Sequence, residues 1–171
     1  MEIRNKNDDV VFKDDGATVK ETVETAVKEG VSLEGADLYV AELDGANLRG
    51  ADLTNADLSG ANLRYANLTG ADLREASLKG DGLDLWNATL AHADLRRADL
   101  SGSYLANADF LGARCDGANL SGVRAPDLAG EIIKGQREEI AVVKEQNALL
   151  KEALDNYKQQ DVDQGKTHEL G

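Results

Sequence analysis

The sequence predicts an all-β solenoid, and three features carry that prediction. Leucine recurs every five residues from Leu33 to Leu83, and again from Leu90 through Leu95, Leu100 and Leu105. Alanine stands two places before nearly every one of these leucines, so residues 36–80 read ADLYV AELDG ANLRG ADLTN ADLSG ANLRY ANLTG ADLRE ASLKG. Glycine closes many of the units, among them Gly45, Gly50, Gly60, Gly70 and Gly102.

A repeat of five suits neither a straight helix nor a straight strand. On a helix each step advances the side chain about 140° beyond a full turn, which scatters the leucines round the cylinder. On a strand an odd step sends successive leucines to opposite faces. All of them reach one interior only if the chain bends once per unit, making a polygonal coil with an inward side chain on each side. Glycine and asparagine at the fifth place tolerate the backbone angles of such bends. Leu and Ala then alternate large and small in a narrow lumen. The second and fourth places, rich in Asp, Asn, Ser, Thr, Arg and Lys, face out. Each buried leucine contributes roughly 1.5–3 kcal/mol against the entropy of ordering the chain.

These A(D/N)LXX units resemble the tandem repeats of the pentapeptide-repeat family over residues 31–122. The resemblance implies a right-handed quadrilateral β-helix with four units per coil, the Ala and Leu of each unit pointing inward. Coils stacked at about 4.8 Å make a rod of about four and a half turns, roughly 20 Å tall. The two leucine series are out of phase, and with DGLDL read as a unit the extra residues are Trp86 and Asn87. Two inserted residues predict a bulge at 86–87 within one continuous rod, with Leu85 sharing the inward role of Leu83. Trp86, the single tryptophan, is then either an exposed interface anchor or a cover folded over the adjoining side wall.

A solenoid leaves apolar lumen and unpaired strand groups at both ends, so covers are expected. Residues 1–30 read as an N-terminal cap, with a short strand at VVF (10–12) and a helix over 18–29. Thr18 and Glu21 make a capping box, and Gly30 ends the helix. Val19, Val23, Ala26 and Val27 form an apolar stripe expected to lie over Leu33. The β-helix is expected to span 31–127, since Pro126 stops a ladder.

Residues 128–158 read as a C-terminal helix. Its heptad places Ile133, Ile140, Asn147 and Leu154 at one core position and Gln136, Val143, Leu150 and Tyr157 at the other. A single Asn at such a place fixes a two-stranded parallel register. A homodimer through Ile133, Ile140, Val143, Asn147, Leu150 and Leu154 is therefore expected, ahead of a trimer. The alternative is a helix folded back on its own rod. The polar tail 159–171 is expected to be disordered.

With 171 residues, a formal net charge of −13 and 4% aromatic residues, the chain is a poor direct ligand for nucleic acid. A protein with a basic surface is the better partner. One cysteine excludes an intrachain disulfide and favours a reducing compartment. No run of 18 apolar residues is present and the opening MEIRNKNDDVVF lacks a signal peptide's apolar stretch, so a cytoplasmic protein with no membrane contact is expected. His92 and His168 have no Cys or carboxylate at ligand spacing, and Cys115 sits at an inward third place. The glycines recur as corners and form no phosphate-binding loop. No enzyme activity, metal or cofactor is expected.

Charge is the remaining signal. With four units per coil, residues twenty apart stack, which puts Asp52 under Asp72 and Asp37 under Asp57, with Asp94 and Asp99 continuing the two columns. Arg74 and Arg96 stand where they can offset the repulsion. The family resemblance implies one use: its quinolone-protection group mimics double-stranded DNA and occupies the DNA-binding saddle of DNA gyrase. The candidate partner-binding residues are accordingly Asp37, Asp52, Asp57, Asp72, Asp94, Asp99 and Trp86. The expected partner is a DNA-binding enzyme, a gyrase-like topoisomerase or a host nuclease. Two alternatives stand beside this: Asp at the second place is only family consensus, or the rod is an assembly module joined by its C-terminal coiled coil.

Overall fold

A computed structural model describes residues 1–124. The expected end of the β-helix at 125–127, the helix of 128–158 with Ile133, Ile140, Val143, Asn147, Leu150 and Leu154, and the tail 159–171 lie outside the described residues.

The chain opens with an antiparallel hairpin of β1 (Glu2–Arg4) and β2 (Val10–Lys13), in which Ile3 faces Phe12. The VVF stretch is thus a strand, and its partner β1 had no sequence signal beyond one buried residue, Ile3. Asn5 closes the turn by accepting the backbone N–H groups of Asn7 and Asp9 at 2.9 and 3.0 Å. Helix α1 (Val19–Lys28) starts at Thr18 with the expected capping box to Glu21. Val23 and Ala26 of the stripe are fully buried, while Val19 and Val27 are half-buried. Thr22 is buried in their place: its hydroxyl donates to Asp14 Oδ1 at 2.7 Å, and that bond draws the Asp14 carboxyl below its usual range.

The cap occupies the edge where the first coil has no neighbour above it. Arg4 C=O accepts the Asp37 N–H at 2.7 Å, and Glu24 Oε1 accepts the Asn47 N–H at 2.7 Å. Lys20 Nζ donates to Asp44 C=O at 2.7 Å. Backbone groups that would otherwise stand as an open ladder edge are thereby paired.

Below this the chain stacks parallel bridges between residues twenty apart: Asp37 with Asp57, Glu42 with Asn62, Asn47 with Asn67 and Asp52 with Asp72. Each side of the coil holds two ladder bonds, as where Leu38 N–H reaches Asp57 C=O at 2.8 Å and Asp57 N–H reaches Ala36 C=O at 2.9 Å. Each corner closes with a bond such as Ala41 N–H to Leu38 C=O at 3.1 Å. The fifth-place residue between them takes the left-handed φ of a type II turn. Leu43, Leu48, Leu53, Leu58, Leu63 and Leu68 are wholly excluded from solvent, and Ala46, Ala56, Ala61 and Ala66 fill the spaces between them.

The break in register lies elsewhere than the bulge expected at 86–87. Asp57 pairs with Ser77, but Asn62 pairs with Asp84, and the twenty-two-residue step persists through Asn67–Thr89, Asp72–Asp94 and Ser77–Asp99 before twenty returns at Asp84–Tyr104. The two extra residues therefore fall between Ser77 and Asp84, in the turn of Asp81 and Gly82. LDLWN (83–87) is an ordinary unit, with Asn87 at its left-handed corner (φ 54°) and Leu83 in the alanine place. Leu83 and Leu85 are both fully buried, so the shared inward role holds. Gly82 sits on the Gly60 backbone, where an added Cβ would stand 3.4 Å from Gly60 Cα, so the insertion fits against a corner that has no side chain.

Candidate protein-binding surface

Four faces follow from the bridges. Asp52, Asp72, Asp94 and Arg114 run down the first, and Asp37, Asp57, Ser77, Asp99 and Asn119 down the second. Glu42, Asn62, Asp84, Tyr104 and Arg124 form the third, and Asn47, Asn67, Thr89 and Asp109 the fourth. Both expected aspartate columns are thus present as neighbours.

The second-place residue has a backbone duty on every face. Its Oδ1 accepts the N–H two residues on, as Asp37 does from Tyr39 (3.1 Å), Asp57 from Ser59 (3.0 Å), Asn67 from Thr69 (3.1 Å), Asp99 from Ser101 (3.0 Å) and Asn119 from Ser121 (3.1 Å). Asn and Asp perform this Asx turn alike. The charge of an aspartate is therefore surplus to the fold, and its fate depends on the neighbours.

On the first face that charge is matched. Arg74 grips Asp72 with Nε and Nη2, at 2.8 Å to Oδ1 and 2.6 Å to Oδ2, and Arg96 holds Asp94 in the same way. Arg114 adds a second cation 3.7 Å from Asp94. The guanidinium bonds hold the Asp72 and Asp94 carboxyls below their usual range. Asp52 has hydroxyls instead: burial pushes its carboxyl up, and bonds from Ser32 (2.5 Å) and Thr54 (2.7 Å) outweigh that.

On the second face the partners are mostly neutral. Burial raises the Asp57 carboxyl but the bonds from Ser59 bring it down, with Lys6 Nζ 3.6 Å away. Ser101 and Asn119 donate to Asp99, the Ser101 bond lowering its carboxyl most. Asp37 is exposed, and neither it nor Asp99 makes a salt bridge among the described residues. Lys79 acts on Asp99 through its charge without a salt bridge, so this column meets lysines where the first meets paired guanidinium bonds.

Trp86 lies on the third face and is half-buried. The Arg64 guanidinium stacks 4.5 Å from its ring centroid, and Tyr65 meets it edge-on at 5.0 Å. Tyr65 and Val40 occupy fifth-place corners at φ 56° and 55° and are both 53% exposed. A left-handed residue with a Cβ costs roughly 1–2 kcal/mol, so these two side chains are held out at a cost to stability.

His92 is an exposed corner at φ 60°, and Cys115 is a half-buried inward residue. Among the described residues no group of three or more His, Cys, Asp or Glu is arranged to hold a metal ion. No helix among them is long and apolar enough to cross a membrane.

This geometry defines a β-solenoid protein built from five-residue units. The chain belongs to the pentapeptide-repeat family: the family model described as Pentapeptide repeats matches in 8 copies, over residues 29–55, 41–80 and 88–124. The gap between the last two segments brackets the inserted turn. Membership makes the coil a right-handed β-helix.

Among solved structures the chain is similar to the pentapeptide repeat protein Rfr23 of the cyanobacterium Cyanothece 51142, with 28% identity, 54% of this chain and 65% of that one covered, and a TM-score of 0.46. It is also similar to alr5209 of Nostoc PCC 7120, at 33% identity over 65% and 87% of the two chains with a TM-score of 0.38. QnrB1, a plasmid-mediated fluoroquinolone resistance protein, is similar at 23% identity over 51% and 58%, with a TM-score of 0.25. These TM-scores are all below 0.5, so the family assignment rests on the repeats themselves. The chain spans 65% of the length of Rfr23. No curated protein matches it.

Proposed function

We propose that this protein is a non-catalytic binding protein whose β-helix engages a basic protein surface, with the second face as its main electrostatic contact. The supporting observation is the column of Asp37, Asp57 and Asp99, where the backbone turn needs only an amide or carboxylate oxygen and the surplus charge meets Lys6 and Lys79 but no gripping guanidinium. Asp52, Asp72 and Asp94 stand on the adjoining face and contribute less, because Arg74 and Arg96 already match two of them. A net charge of −13 strengthens attraction to any basic surface.

In its specific form the proposal is mimicry of double-stranded DNA, the rod competing for the DNA-binding surface of a gyrase-like topoisomerase or nuclease. A cytoplasmic location and self-association through the heptads of 133–154 are parts of this reading that rest on sequence. The test is a titration of the full chain into DNA gyrase supercoiling assays at rising salt. Inhibition relieved by added DNA and falling steeply between low and high salt supports mimicry. Inhibition indifferent to salt, or none, sinks it.

A further inference from the structure

The aromatic side chains that reach the surface are unevenly placed. Trp86 and Tyr104 lie on the third face, and Tyr65 stands at its far corner. Tyr39, 66% exposed, and Val40 lie at the corner it shares with the second face. The inserted Asp81–Gly82 turn is at that same corner, beside a shallow groove lined by Tyr39, Val40, Gly60, Lys79, Asp81 and Gly102. The surface aromatics, Val40 and the inserted turn therefore border one face, while Glu75 holds a left-handed corner elsewhere (φ 58°).

Two of these departures work against the fold. The corner above Tyr65 is Gly45 and the one below is Asn87, residues at ease with a left-handed φ, yet this position holds a tyrosine. Val40 tops a corner column that continues as Gly60, Gly80 and Gly102, and it is β-branched, the type least suited to the angle. Strain of this kind collects where a side chain has a use beyond folding. The Gly45 corner above Tyr65 has no side chain of its own, and Lys20 Nζ lies beside it on the Asp44 carbonyl at 2.7 Å.

The charges around the platform favour a cation. Glu42 and Asp44 are exposed at the top of the face, and Asp84 flanks Trp86. Arg64 shows what the site accepts: its guanidinium stacks on Trp86 while lying 3.8 Å from Asp84. A planar guanidinium uses the ring face and the carboxylate together, which an ammonium does less well. We propose that the third face is the specificity contact for an arginine-bearing loop of the partner protein, with Tyr65 as the stacking surface, Glu42 and Asp44 as the anionic rim, and Trp86 as the rigid support. This rests on the reading of a basic protein partner and assigns the side chains that recognise it.

The chain's one tryptophan reports directly on this face. The full chain would be titrated with a synthetic hexapeptide of alternating Arg and Leu, following Trp86 emission, with Lys-for-Arg and Glu-for-Arg peptides alongside. The expected result is a saturable emission change with the Arg peptide, at least threefold weaker binding of the Lys peptide and none of the Glu peptide. Tyr65→Asn should weaken the Arg peptide at least tenfold while keeping the unmodified far-ultraviolet dichroism, and Val40→Asn should raise the melting temperature. A Tyr65→Asn protein that binds normally overturns the proposal. So does a saturable response to a single-stranded oligonucleotide in place of the peptide, since stacked bases use the same rings. The triple variant Asp37→Asn, Asp57→Asn, Asp99→Asn should bind the Arg peptide within threefold of the unmodified chain. Loss of gyrase inhibition in that variant with peptide binding intact is what both readings predict; retained inhibition contradicts the column alone, and normal peptide binding by Tyr65→Asn contradicts the platform alone.

Discussion

The first and second faces carry columns of aspartate in the same structural place, and the structure gives those columns different electrostatic characters. On the first, Arg74 and Arg96 fill the fourth place of their units and grip Asp72 and Asp94 through paired hydrogen bonds. On the second, the fourth place is Tyr39, Ser59, Lys79 and Ser101, so Asp57 and Asp99 are held mainly by hydroxyl and backbone N–H groups. The aspartate itself is common to both and serves the turn. Whether its charge is presented outward depends on the residue two places later.

Several measurements would break or sharpen that contrast. The largest effect should come from the wall both columns share: Leu73→Ala, beside Asp72 and wholly buried, should cost about 2–5 kcal/mol in chemical denaturation. A cost comparable to that of Asp72→Asn would mean that the lumen is not the core.

The turn duty is next. Asp57→Ala removes the acceptor for Ser59 N–H and should cost about 1 kcal/mol. Asp57→Asn keeps that acceptor and should cost only a few tenths, so equal costs would contradict the Asx turn.

Titration should give a smaller and graded effect. The carboxyls of Asp52, Asp57, Asp72, Asp94 and Asp99 lie below their ordinary values in the folded state. An unfolded chain then binds more protons than the folded one as pH falls. Their contribution is fully present above the unfolded value near 3.9 and is lost as pH drops through the lower folded values. The urea midpoint should hold steady from pH 7 to about pH 5 and fall below that. The smallest effect separates the columns: raising salt at pH 7 should weaken the Arg-held first column more than the hydroxyl-held second. Arg74→Gln with Arg96→Gln should therefore flatten the salt dependence of the melting temperature.

Much of this was legible in the residues. The five-residue period yields the coil, the twenty-residue stack yields both columns, and Thr18 with Glu21 marks the helix start because a capping box is a local pattern. Leu83 looks like a third-place leucine although it fills an alanine place, which shifts the apparent insertion from 81–82 to 86–87. GDG at 80–82 is the turn signal that points to the correct position, as does the corner asparagine Asn87 after Trp86. β1 was invisible because Ile3 alone of its residues is buried, and a three-residue strand shows no alternation. The Asx turn has one sequence signature at the second place, the free exchange of Asp and Asn there. The packing of Arg64 on Trp86 depends on stacking across a coil that contains the insertion, which no local window reveals.

In the proposed reading the second column, and not the first, presents the charge that a basic partner meets. The most direct test compares two variants in DNA gyrase inhibition at low salt: Asp37→Asn with Asp57→Asn and Asp99→Asn, against Asp52→Asn with Asp72→Asn and Asp94→Asn. Asparagine keeps each backbone turn, so both should fold. The second-face variant should lose inhibition at least tenfold, about 1.4 kcal/mol of contact, and the first-face variant should change within about twofold. Equal losses, or a greater loss from the first face, would contradict it.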